Sequence, residues 1–157
     1  VQLLIPGFRG YRQGEDDRAA DSLLRLQVAD RVHQALMSIQ SYRTQLTQAN
    51  QFQGLTDLGP VIADLQQLEG EIRHAEQGYT GISPAVRIST DQLDRLYEYD
   101  YGFVTAASTL GSTVQGLSNP VSDPASVAMA IQTLRAQVRQ LDAAFKARVR
   151  AVEGIQV

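Results

Sequence analysis

Cysteine is absent from the 157 residues, which excludes disulfides, thiolate catalysis and cysteine-ligated zinc or iron–sulfur clusters. Lysine occurs once, at Lys146, against 13 arginines, so a Schiff-base site would have a single candidate. Histidine occurs only at His33 and His74, leaving little from which to build a nucleophile–base pair. Long apolar runs are missing as well. None approaches the roughly 20 residues that span a bilayer, and Leu3-Leu4-Ile5 is too short for a signal-peptide core. The composition therefore predicts a soluble domain without transmembrane insertion. An excess of positive charge is lacking too: 14 basic against 17 acidic side chains give −3, which argues against a nucleic-acid partner. There is no Walker-type loop, dinucleotide-binding glycine pattern, nucleophile elbow or calcium loop, and no internal repeat. No cofactor is expected. The compartment stays open, since a cysteine-free chain suits either side of a bacterial membrane, with the cytoplasm slightly favoured.

What is present is helical periodicity. With 43% hydrophobic residues, the chain is long enough to bury one core as a single domain. Residues 1–14 read as an irregular arm punctuated by Pro6, Gly7, Gly10 and Gly14. Glu15 to Phe52 then contains neither Gly nor Pro, and opens with three acids that suit a helix N-terminus. Within it Val28, Val32, Ala35, Ile39, Tyr42, Leu46 and Ala49 alternate steps of four and three, a heptad seam. A helix over 15–53 would be roughly 57 Å long.

Gly54 and Gly59-Pro60 read as the break after it, with Thr56 or Asp57 capping a second helix over 57–77. That helix carries Val61, Leu65, Leu68, Ile72 and Ala75 inward. An extended connection over 78–88 leads to a capping box, Ser89 with Gln92, and a third helix over 90–116. Leu93, Tyr97, Val104, Ala107, Gly111 and Val114 form its inward face, and Ala106, Ala107, Ser108, Gly111 and Ser112 invite close helix packing. Asp123-Pro124 pairs a good N-cap with the matching first helical residue. It opens a fourth helix over 124–152, whose seam runs from Val127 through Ile131, Leu134, Val138, Leu141 and Phe145 to Val152, interrupted by Arg148. Four amphipathic helices define an all-α, antiparallel four-helix bundle.

Such bundles host di-metal carboxylate centres, whose Glu-x-x-His signature is matched by Glu71–His74 and shortened in Asp30–His33. Helical phase argues against a metal site. It turns both histidines and Asp30 away from the seams and leaves Glu71 at an edge. Asp100 is different: phase from Leu93 puts it near 340°, on the third seam. A carboxylate there needs a partner. Arg148 and Arg25 are the candidates, with Tyr97 as a hydroxyl donor, so Tyr97, Asp100 and Arg148 form a candidate buried polar site, extended to Tyr101 as a possible small-molecule or metal pocket.

The first helix outreaches the second by roughly 25 Å of seam, which the third and fourth helices, a second copy or another partner could cover. The expected function is therefore a non-enzymatic scaffold or protein–protein interaction domain. It would pair with a protein partner or its own copy through Val32, Ile39, Tyr42 and Leu46. Phe8, Arg9, Tyr11 and Arg12 of the arm would be accessory contacts, with contact to an anionic membrane surface as another use. Arg135, Arg139, Lys146, Arg148 and Arg150 load the end of the fourth helix, where cations complement the macrodipole.

Overall fold

The structure, a computed structural model, describes residues 17–75, 90–117, 121 and 123–155. Among the described residues there are four helices: α1 (Asp17–Gln48), α2 (Phe52–His74), α3 (Thr90–Gln115) and α4 (Pro124–Ile155). Consecutive helices run antiparallel, giving two hairpins, α1α2 and α3α4. The hairpins are laid side by side so that α1 packs on α3 and α2 packs on α4, each as parallel neighbours. The pairs α1–α4 and α2–α3 sit on the diagonals. The arm and the connection over 78–88 lie outside the described residues, as does the Ser89 half of the capping box.

The first turn falls earlier than the glycines suggest. Asn50 takes a φ of 55°, the left-handed conformation that asparagine tolerates better than most residues. The Gln51 N–H donates to the Leu46 carbonyl at 2.9 Å and the Asn50 N–H to Thr47 at 3.1 Å. This Schellman pattern satisfies two carbonyls at the end of α1. Ala49 consequently sits exposed in the turn instead of on the seam. The α1 helix is 32 residues long, about 48 Å, and α2 has 23, so the mismatch in length is smaller than expected.

Gly54 lies inside α2 and is buried. A Cβ there would come within 2.8 Å of Val127 Cγ1, so the missing side chain lets the first turn of α2 approach α4. Gly59 and Pro60 lie within α2 as well, both exposed, as is Thr56, whose carbonyl lacks the N–H that residue 60 would have supplied. Buried Leu58, Val61, Ile62 and Leu65 on either side hold the helix through that defect. The small residues of α3 do not produce a comparable approach, since a Cβ on Gly111 meets nothing within 4 Å.

The predicted N-cap of α4 forms: Asp123 Oδ1 accepts from the Ser126 N–H at 2.7 Å, with Pro124 as the first helical residue. That bond holds the Asp123 carboxyl below its ordinary range. Every seam residue of α4 from Val127 to Val152 is buried, as are Val61, Leu65, Leu68 and Ile72 of α2. On α3, Val104, Ala107 and Val114 are buried as expected, but Tyr97 and Gly111 are only partly so, and the inward face is widened by Leu96, Asp100, Phe103 and Leu110.

One expectation fails outright. Val32, Ile39, Tyr42 and Leu46 are 1%, 0%, 4% and 0% exposed. They are not a free stripe for a partner but part of the chain's own core, because α3 covers the side of α1 that α2 leaves open. Burial accordingly pushes the Tyr42 phenol up.

Candidate functional site

At one end of the bundle, where α1 and α3 begin and α2 and α4 end, four charged side chains are buried together. Asp21, Arg25, Asp100 and Arg148 are each 4% exposed or less. Arg148 of α4 donates through Nε to Asp100 Oδ1 of α3 at 2.7 Å. Through Nη2 the same guanidinium donates to Asp21 Oδ1 of α1. Asp21 Oδ2 in turn accepts from Arg25 Nε at 2.9 Å. Arg25 Nη1 then donates to the carbonyls of Ile72 at 3.0 Å and Arg73 at 3.2 Å, at the end of α2. Two carboxylates and two guanidiniums form one neutral chain that touches all four helices.

Each link has a local cause. Asp21 and Arg25 lie one turn apart on α1, the spacing at which side chains meet. The last carbonyls of α2 lack intrahelical partners and carry the negative end of the macrodipole, so a guanidinium suits them. Arg148 also lies over the Phe103 ring, 5.6 Å from its centroid, and Phe103 packs on Phe145 with 5.7 Å between rings. The planar, delocalised guanidinium is suited to accept this combination of ring and carboxylates.

The Asp100–Arg148 pair is the partnership expected from the seams. Arg25 differs: its carboxylate is Asp21, not Asp100. Asp21 itself escaped sequence reading, although it stands seven residues before Val28, one heptad back along the same seam. Tyr97 is half-buried beside this end, whereas Tyr101 is 56% exposed and does not belong to the polar site.

The histidines are placed as phase predicts. His33 is exposed and its Nδ1 lies 3.1 Å from Glu69 Oε1. Glu69 is shared with Arg73, which also reaches Asp30 at 3.1 Å. The bond to Glu69, followed by that to Asp30, raises the Arg73 pKa and keeps its charge in place. His74 and Glu71 are exposed. Among the described residues no three His, Asp or Glu side chains come together as a metal site. On α4, Lys146 is held to Asp142 at 3.0 Å and its pKa is raised by that bond. Arg135 reaches the Asp57 carbonyl of α2 at 3.4 Å. Phe8, Arg9, Tyr11 and Arg12 lie outside the described residues.

The concavities are surface grooves. One of about 180 Å³ runs between the start of α3 and the end of α4, past Gln92, Arg95, Tyr99 and Gly154. Another of about 240 Å³ lies between α2 and α4, lined by Asp64, Glu71, Arg139 and Lys146. Both fall below the roughly 300–1,000 Å³ usual for small-molecule sites, whereas a shallow depression of about 400 Å³ along Tyr101, Thr105, Ser108 and Ser112 of α3 reaches that range, away from the buried charges. No described helix is long and apolar enough to cross a membrane.

No protein-family model, curated protein or solved structure matches the chain.

Proposed function

We propose that this chain is a non-enzymatic helical-bundle domain that works by presenting its outer surface to a protein partner, a second copy included. The observation that carries the reading is a strip on the outward side of α1. Leu23, Leu26 and Met37 are 48%, 43% and 60% exposed there. Relative to Val28 they fall near 220°, 160° and 180°, opposite the buried seam. Asp30 and His33 stand between them, held to α2 through Arg73 and Glu69. The strip is thus apolar at both ends and fixed by ion pairs in the middle, the mix of anchor and polar contact that interfaces use. The interior supports the same reading, since Asp21, Arg25, Asp100 and Arg148 are engaged with one another.

Light scattering over a concentration range, with cross-linking to capture hetero-partners, tests this on the native chain and on Leu26→Asp and Met37→Asp. Both positions are exposed, so the variants keep the helical signal and thermal midpoint. Association is expected to weaken in both. A chain whose self-association and cross-linked partners are unchanged by either substitution overturns the proposal.

A further inference from the structure

Apart from the approach of Gly54 to Val127 at the far end, the apolar seams do little to fix the alignment of the two hairpins. Val28 to Leu46 on α1 and Val127 to Phe145 on α4 repeat apolar residues at heptad spacing, aliphatic except for Tyr42 and Phe145. Sliding one hairpin by a heptad, about 10.5 Å, would again set aliphatic side chains against aliphatic side chains. Burial of apolar area is non-directional and does not discriminate strongly between such registers. The charged layer does discriminate. Arg25–Asp21, Arg73–Asp30 and His33–Glu69 stay within the first hairpin and Arg148–Asp100 within the second. Arg148–Asp21 crosses between them. The layer also bounds the apolar interior: Leu96 and Val152 are 0% and 1% exposed yet stand outside the contiguous core.

We infer that the Asp21–Arg25–Asp100–Arg148 layer is a pairing lock, which ties an α1α2 hairpin to an α3α4 hairpin in a single register and rejects both a shifted register and the pairing of two α1α2 hairpins from different copies. A one-heptad slip would keep Arg25 on Asp21 and Arg148 on Asp100 but would break the Arg148–Asp21 contact and set the Arg148–Asp100 pair against aliphatic side chains of α1, where two charge pairs are desolvated without the bond that joins them. A second copy's α1α2 hairpin laid on this one would bring Asp21 to Asp21 and Arg25 to Arg25 across a two-fold axis. The inference is independent of the outward strip on α1.

The test replaces the layer in the full chain with apolar residues: Asp21→Leu, Arg25→Met, Asp100→Leu and Arg148→Met together. The variant is expected to stay helical with a thermal midpoint no lower than native, while amide resonances double; in a background carrying Leu26→Asp and Met37→Asp, which silences the outward strip, light scattering finds dimer that is absent when the layer is intact. A variant that remains one monomeric species with one resonance per amide overturns the lock. Should the fourfold variant lose its helical signal, charge reversal decides. Asp21→Arg alone sets a third guanidinium beside Arg25 and Arg148, with Asp100 as the layer's remaining carboxylate, and yields a mixture of species. Adding Arg148→Asp restores attraction between hairpins and returns a single monomer. Equal behaviour of the single and double reversals overturns the inference.

Discussion

Arg148 and Asp21 stand 127 residues apart and meet across the diagonal of the bundle. Neither helix packs extensively on the other, so the contact is made by the reach of a guanidinium through the interior. The same guanidinium holds Asp100, so one side chain joins three of the four helices.

Removing that side chain is therefore costly. Arg148→Met leaves Asp21 with Arg25 but strips Asp100 of its guanidinium in a buried setting. The loss expected on urea unfolding is about 3–5 kcal/mol. Arg148→Lys is expected to recover only part of it, because an ammonium lacks the planar fork that serves two carboxylates and a ring.

Gly54→Ala sets two effects against each other. Alanine favours the helix by about 1 kcal/mol over glycine. The new Cβ would lie 2.8 Å from Val127 Cγ1, and valine, stiff at χ1, does not yield easily. Overpacking of this kind costs about 1–3 kcal/mol, so a lower thermal midpoint is expected. Combining it with Val127→Ala is expected to relieve the clash, giving non-additive values in a double-mutant cycle.

At Asn50 the backbone decides. With φ at 55°, Asn50→Val is expected to destabilise by about 1–2 kcal/mol in chemical denaturation, whereas Asn50→Gly is expected to be neutral or slightly stabilising.

Asp123 gives a pH signature. Its carboxyl is held low by the Ser126 backbone N–H, so the charged form is favoured by folding. The contribution is fully present above the ordinary aspartate value, near 3.8, and is lost as pH falls through the lowered one. Asp123→Asn keeps an acceptor for the cap but is expected to flatten that part of the stability–pH curve. Asp123→Ala is expected to lower the thermal midpoint at neutral pH.

Helical phase made much of this legible. The α4 seam, its Asp123-Pro124 start and the inward Asp100 with Arg148 follow from the 3.6-residue turn and from the cost of burying an unpaired charge. Asp21 was legible in principle, since it continues the α1 seam by one heptad, but its neighbours Asp16 and Asp17 invite reading it as a helix-start acid. The α1–α2 break was misplaced because glycine and proline are stronger punctuation than asparagine, yet Asn50 makes the turn. Gly54 serves packing instead, and the exposed side of α2 absorbs Pro60. The seam on α1 signalled burial correctly and its covering incorrectly. Periodicity says that a face must be hidden, not which helix hides it, and here α3 lies beside α1 although α2 precedes it in the chain.

The guanidinium of Arg148 is delivered late in synthesis. A ribosome adding roughly 5–20 residues per second needs on the order of ten seconds to travel from codon 21 to codon 148. Within that interval the nascent α1α2 hairpin, complete by codon 74, has Arg25 for Asp21 but waits for α3 to cover its apolar seam and for α4 to close the charged layer.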